Sequence, residues 1–438
     1  MTNRPKIIVL DDDPTGSQTV HSCLLLMRWD VETLRLGLRD DVPIFFVLTN
    51  TRALVPEQAA SVTREVCKNL KIAIAEENIQ DFLVVSRSDS TLRGHYPIET
   101  DVIAEELGGF DAHFLIPAFF EGGRVTRDSI HYLMVDNVPT PVHETEFAQD
   151  SVFGYHHSYL PDYVQEKTQS RIVASEVERF LLNELRQGSF ERLMTLSNNS
   201  CGVVDGESQT DLDRFAQDIL RAAAAGKRFL FRSAASILTS LAQLGQQPLA
   251  PEAMAQSKPT DKPGVILVGS HVKKTTEQLA QLLLEPNIVG IEVDVIELRD
   301  DLSLSGTIRQ EVSRQVSSAH ASDQTPVIFT SREELTFDTV QQRLNFGAAV
   351  SQLLMDIVQA LPSDIGFLIS KGGITSNDVL SQGLSLRSAR LLGQILPGCS
   401  VIRTPADHAL FPNLPVVLFP GNIGDERGLA IAYRRLKG

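Results

Sequence analysis

The chain keeps repeating one local pattern: a short apolar, β-branched run that stops abruptly at a polar or glycine cluster, followed by a helical stretch. In the first half the runs are "IIVL" (7–10), "PIFFVLTN" (43–50), "FLVVS" (82–86) and "AHFLIPA" (112–118). Between two of them, "PEQAASVTREVCKNLKIAIAEE" sets Ala59, Val62, Val66, Leu70 and Ile74 at helical spacing. Runs that are apolar at every position have no solvent face. Joined by amphipathic helices, they imply a mostly parallel sheet covered on both sides.

A chain of 438 residues exceeds one ordinary core, so two domains are expected. Residues 245–263 carry proline and glycine among polar residues without periodicity and read as a linker. The βα rhythm restarts at "GVILVGS" (264–270) and continues through "VGIEVDVIEL" (289–298), "TPVIFTS" (325–331), "IGFLISKGG" (365–373) and "PVVLFPGNIG" (415–424). Residues 332–361 read as one long helix. The expected fold is therefore α/β: a domain over 1–244 and another over 264–438, each with a mostly parallel sheet.

Polar clusters sit where a parallel sheet collects ligands, beyond the carboxyl ends of its strands. "DDDPTG" follows the first run, "NTR" (50–52) the second, "RSDSTLRG" (87–94) the third and "FFEGGR" (119–124) the fourth. They bring carboxylates (Asp12, Asp13, Asp89) and guanidiniums (Arg52, Arg87, Arg93, Arg124) to one rim. Guanidiniums suit a carboxylate and carboxylates suit sugar hydroxyls, so a polyhydroxylated acid fits the mixture. One such Asp alone would be read as a helix cap, and one such Arg as its partner. Asp11 looks the most dispensable of the triplet.

The same rim of the second domain carries small residues: "GSHVKKTTEQL" (269–279), "SKGGITSNDV" (370–379) and "FPGNIGDERG" (419–428). Glycine at a strand-to-helix turn lets backbone N–H groups approach phosphate oxygens, and Lys371 adds positive charge. Neither G-x-x-x-x-G-K-[ST] nor G-x-G-x-x-G after a strand occurs, so spacing alone supports an anion or nucleotide site.

Several function classes are disfavoured. The net charge of −15 argues against a general nucleic-acid or anionic-membrane binder. No apolar run approaches a membrane span, and "MTNRPK" leads into a strand with no apolar signal region, so a cytoplasmic protein is expected. Cys23, Cys67, Cys201 and Cys399 are far apart and read as free, buried thiols. Histidines such as His95, His131, His143, His156 and His157 lack zinc-ligand spacing and read as surface or supporting residues; no metal-ligating set is assigned.

At these clusters the sequence resembles the four-carbon acid sugar kinases. Asp12-Asp13-Pro14-Thr15-Gly16 resembles the start of that family, "SDSTLRG" its Asp-Ser-Thr block, "PAFFEGGR" its Pro-Ala-Phe…Gly-Arg block, and "KGGITSNDV" its Gly-Gly-x-Thr-Ser block. The glycine turns at 397–398 and 420–424 agree, and the blocks follow in order along the chain. It departs at Pro14, where relatives often have Phe, at Ile374, where many have Glu, and over 141–160.

The resemblance implies an ATP- and Mg²⁺-dependent kinase acting on a hydroxyl of threonate, erythronate or a 3-oxo acid. Its amino-terminal domain would hold the sugar acid and its carboxy-terminal domain ATP, with the active site in the interdomain cleft. Carried over by position, Asp12 and Asp13 would be catalytic, either one the base. Asp89, Ser90, Arg93 and Arg124 would face the substrate, while Ser270, Gly372, Gly373, Ile374, Thr375 and Gly421 would line the nucleotide. Lys371 would meet ATP phosphates or lie in solvent. The alternatives are a kinase for a branched five-carbon acid such as 3-oxo-isoapionate, a sugar-acid-binding protein without catalysis, or an aldolase or epimerase. A homodimer is one assembly such a chain could form.

Overall fold

The computed structural model of the protein describes residues 4–135, 138–332, 335–337 and 339–438. They fall into two units, Met1–Gln246 and Gln247–Gly438.

In the first unit the apolar runs become β1 (Lys6–Asp11), β3 (Ile44–Leu48), β4 (Phe82–Arg87) and β5 (Ala112–Ile116). Short strands β2 (Leu24–Leu26), β9 (Glu178–Phe180), β10 (Ser200–Val204) and β11 (Phe229–Ser233) join them in the order β2-β3-β1-β4-β11-β5-β10-β9. Every pairing among these eight is parallel. The order reverses between β1 and β4, which opens a crevice at their carboxyl ends. Their register sets Asp11 opposite Arg87.

Helices cover the sheet as the patterning requires. Val31–Arg39 starts at Asp30, whose side chain accepts from the Thr33 N–H. Pro56–Glu76 opens on a proline whose missing N–H costs nothing there. It buries Ala59, Val66 and Leu70, with Val62 and Ile74 at the margin of the same cluster. On another part of the sheet Phe114 touches the rings of Phe180, Phe215, Phe229 and Phe231, with centroids 5.4–5.8 Å apart. A separate antiparallel sheet, β6 (Arg124–Arg127), β7 (Ile130–Val135) and β8 (Val138–Pro141), follows β5.

The second unit orders its strands β13-β14-β12-β15-β18-β17-β16. The strands β12 (Val265–Val268), β13 (Ile288–Val293), β14 (Thr325–Thr330), β15 (Leu368–Lys371) and β18 (Pro415–Phe419) are parallel. The hairpin β16 (Ser388–Leu396) and β17 (Cys399–Arg403) completes one edge antiparallel. Here the order reverses between β12 and β15.

Three sequence expectations need correction. Residues 289–298 are not one strand: β13 ends at Val293, and Asp294 caps a helix over Val295–Asp300. The helix expected over 332–361 runs Val340–Gln359, because Thr339 and Gln342 form a capping box that starts it there; 333, 334 and 338 lie outside the described residues. The segment read as a linker contains a 3₁₀ helix, Pro251–Ser257, whose Met254 is buried in the second unit's core. All four cysteines are buried and free. Among the described residues no helix is long and apolar enough to cross a membrane.

Phe114→Ala removes a fully buried ring and is expected to destabilise the first unit by about 3–5 kcal/mol, read as a lower urea midpoint for that unit's transition.

Candidate active site

Three adjacent aspartates at the end of β1 meet three different environments. Asp11 is fully buried, and Arg87 Nη1 approaches its Oδ1 at 3.3 Å while its Oδ2 has no partner. Burial lifts its carboxyl to about 7, with Arg87 opposing and the Asp12 and Asp13 charges adding to the rise. Asp11 is thus a structural member of the cluster rather than a dispensable one. Its Oδ1 also lies 3.4 Å from the Asp13 N–H.

Asp12 is buried as well, but both of its oxygens are occupied. Arg52 grips it with Nε at 3.2 Å from Oδ2 and with Nη2 on Oδ1. The Ser88 hydroxyl lies 2.6 Å from Oδ2. Asp13 keeps 22% of its side chain exposed. Thr15 donates to its Oδ1 from the backbone at 2.8 Å and from the hydroxyl, leaving Oδ2 with one long 3.4 Å contact to Arg52. Burial works to raise the Asp13 carboxyl. The Arg52 and Arg87 charges and the Thr15 hydrogen bonds outweigh it and hold the group below its usual range. One open, ionised carboxylate oxygen therefore stands at this strand end.

Behind it lies a buried network that the sequence reading missed. Arg232, at the end of β11, donates from Nη2 to Ser88 Oγ at 2.8 Å and from Nη1 to Ser86 Oγ at 2.7 Å and Glu99 Oε2 at 2.6 Å. Thr51 donates to the other Glu99 oxygen at 2.6 Å. The signal was present: "FLFRS" (229–233) is another apolar run ending in polar residues. Gly94, with φ of +129°, makes the packing possible, since a Cβ there would stand 2.3 Å from Ser88 Oγ and 2.6 Å from Arg232 Nη2.

Of the remaining expected residues, Asp89 and Arg93 line a hollow beside this network. Asp89 accepts from Arg93 Nε at 2.7 Å and from the Thr91 hydroxyl. Burial opposes its ionisation, but Arg52, Arg93 and those hydrogen bonds place it far below the usual carboxylate range. Ser88, Asp89, Leu92, Arg93, Tyr163 and Arg232 line one hollow. Leu92 sits there at φ +67°, a strained conformation for a bulky residue. Arg124 donates to the Gly122 carbonyl, its buried Nε has no partner, and it forms no ion pair among the described residues. Burial pulls its guanidinium below its ordinary value, with the Asp89 charge opposing and the Arg93 charge adding to the fall. Ser90 enters through its carbonyl, which accepts from His131 Nε2 at 2.8 Å. The His131 Nδ1 then accepts from Thr126 Oγ1 at 2.9 Å.

In the second unit the glycine turns converge at the ends of β12, β15 and β18. The Gly269 and Ser270 N–H groups each donate to the Lys371 carbonyl at 3.3 Å, and the Gly372 N–H donates to the Phe419 carbonyl at 2.8 Å. A Cβ on Gly372 (φ +122°) would stand 3.0 Å from Ser270 Cβ and 3.1 Å from Thr375 Oγ1; one on Gly421 would stand 3.4 Å from Ser270 Oγ. Gly372 opens the helix Gly373–Asp378, whose first-turn N–H groups, those of Gly373, Ile374 and Thr375, have no intrahelical acceptor. Ile374 is 75% exposed beside them. Lys371 is not solvated: it is fully buried, and its Nζ donates to the carbonyls of Pro420 and Gly421.

Comparison with known proteins agrees with this division. A family model described as a sugar-binding N-terminal domain matches residues 7–241, more than half of the chain, and one described as a nucleotide-binding C-terminal domain matches 265–429. The chain belongs to the four-carbon acid sugar kinase family. A D-erythronate kinase from Heliobacterium modesticaldum is 26% identical over 223 residues, a match spanning 48% of this chain and 47% of that enzyme, about half its length. Two crystal structures share the fold. One is a Salmonella typhimurium LT2 protein provisionally described as a tRNA synthase, with TM-score 0.73 and 20% identity over 98% of each chain. The other is a Haemophilus influenzae protein of a family of unknown function, with TM-score 0.67 and 17% identity over 97% of this chain and 98% of that one.

Burial lowers His131 to about 4 from an ordinary value near 6.5. A depressed histidine contributes stability that is complete above pH ~6.5 and lost as pH falls toward ~4. His131→Gln should therefore flatten the melting temperature of the first unit between those limits, measured against the wild type across the same pH series.

Proposed function

We propose that the protein is an ATP-dependent kinase that phosphorylates a hydroxyl of a four-carbon sugar acid: erythronate, threonate or 3-oxo-tetronate. The observation that carries this reading is the open, ionised Oδ2 of Asp13. It stands in the sugar-binding unit beside guanidiniums that a carboxylated polyol can use, and the family's other domain is a nucleotide-binding one. The partial match to a D-erythronate kinase supports the same substrate class.

In this reading the substrate carboxylate meets Arg124, which forms no direct ion pair among the described residues, while Arg93 and Asp89 contact the neighbouring oxygens. The acceptor hydroxyl lies on Asp13. As its oxygen attacks the γ-phosphorus of ATP, the bond to the ADP oxygen breaks. The hydroxyl proton passes to Asp13 and then to solvent. Asp12 is committed to Arg52 and Ser88, so it orients Arg52 rather than taking the proton. Phosphoryl transfer depends on alignment and charge compensation more than on covalent help, which suits this rigid, cation-rich set. The N–H groups of Gly373, Ile374 and Thr375, with the turns at Ser270 and Gly421, would hold the nucleotide's phosphates. Mg²⁺ would arrive bound to the ATP phosphates as part of a MgATP substrate.

ATP turnover measured across a panel of sugar acids should single out one of the four-carbon acids; no turnover with any acid would overturn the reading. Asp13→Asn is expected to lower kcat by at least about two orders of magnitude while the protein still folds, with a modestly lower melting temperature because the depressed carboxyl contributes stability. Asp12→Asn breaks a buried ion pair and should also lower stability, by roughly 3 kcal/mol. A full-activity Asp13→Asn variant would remove that residue from the base role.

A further inference from the structure

Lys371 is a buried cation with no carboxylate beside it. It is fully inaccessible at the end of β15, and among the described residues it forms no ion pair. Its ammonium donates to the carbonyls of Pro420 at 2.6 Å and Gly421 at 3.1 Å, and lies 4.3 Å from the centre of the Phe419 ring. An arrangement that leaves a full charge in the core without a counter-ion is costly, and a role in holding structure is the first thing to ask of it.

The loop it touches is held along its length in the same way. The Gly421 carbonyl also accepts from Thr275 Oγ1 at 3.4 Å, and the Asn422 carbonyl accepts from Lys274 Nζ at 3.4 Å. The buried Gln278 amide donates to the carbonyls of Ile423 at 3.0 Å and Asp425 at 2.7 Å. Carbonyls 420 to 423 are thus all taken by side chains of β15 and of the helix Lys273–Leu282. The peptide bonds of this loop are trans, so each N–H points opposite the carbonyl before it. The amides of Gly421, Asn422, Ile423 and Gly424 consequently face away from these donors, and none has an acceptor among the described residues. Successive amides presented on one side form an anion-binding concavity.

We infer that Lys371 is a positioning residue for the nucleotide: it turns the 420–424 loop so that its amides receive phosphate oxygens, and nucleotide binding is thereby coupled to proton uptake by Lys371. This rests on the kinase reading above. The charge of Lys371 is poised for such coupling. Burial draws its ammonium down to about 7, and the Lys274 charge adds to the fall. The thiol of Cys399, on β17, is itself buried and pushed up to about 12, so it is neutral at physiological pH and supplies no counter-charge. Phosphate oxygens arriving at the loop favour the protonated amine. Binding must then take up a proton when the pH lies above the free enzyme's value, and affinity must fall as pH rises from ~7 to ~9.

The test is calorimetric titration of the full chain with ADP near pH ~8, where the phosphates are already ionised, in two buffers of different ionisation enthalpy. The wild type should take up a fraction of a proton per ADP, a readout that needs no substitution. Lys371→Met keeps the shape and removes the charge. It should show no uptake, about tenfold or weaker ADP affinity, and a melting temperature without nucleotide that is unchanged or higher. Wild-type binding without proton uptake, or Lys371→Met binding as tightly and with the same uptake, would overturn this inference while leaving the kinase reading intact. Failure of the wild type to bind ADP or ATP at all would overturn both.

Discussion

Three carboxylates in succession at the end of a buried parallel strand repel one another, and the first unit resolves that repulsion differently at each. Asp11 faces the core and holds its proton up to about 7. Asp12 is gripped on both oxygens by Arg52, with Ser88 on one side. Asp13 is left partly open, kept ionised by Arg52, Arg87 and Thr15. Arg52, Arg87 and Arg232 come from β3's following turn, β4 and β11, so the cluster depends on the order of strands in the sheet. The same packing that makes the aspartates tolerable gives each a different environment: one buried with its proton, one fully paired and one partly open.

The second unit solves an opposite problem with opposite means. The carbonyls of Pro420 to Ile423 are taken by the side chains of Lys371, Thr275, Lys274 and Gln278. Carboxylates would have been the cheap partners for Lys371. Backbone dipoles and an aromatic face serve instead, and in the proposed nucleotide role a carboxylate there would repel phosphate.

The strands that carry the site were legible because a doubly covered parallel strand needs an unbroken apolar run, and β1, β3, β4 and β5 have one. The strands that were missed lack that mark or were passed over. Glu178–Phe180 is three residues long, and Ser200–Val204 opens on Ser-Cys-Gly. The three antiparallel strands β6, β7 and β8 are mostly half-buried or exposed, and β8 carries two prolines. Residues 289–298 misled because an apolar strand and an apolar helix turn differ there only by the cap at Asp294.

Residue types and their positions after apolar runs determined the α/β class, the polar rim of the first half and the glycine rim of the second, because those features follow from local periodicity and turn chemistry. Tertiary structure alone decided which charges cancel. Whether an arginine is a free clamp or a partner already spent depends on atoms that come within hydrogen-bond reach across strands. So Arg52, Arg87 and Arg93 prove paired while Arg124 stands alone, and Lys371 turns inward to carbonyls rather than outward to solvent. Burial and distance set those energies, and neither is written in the order of residues.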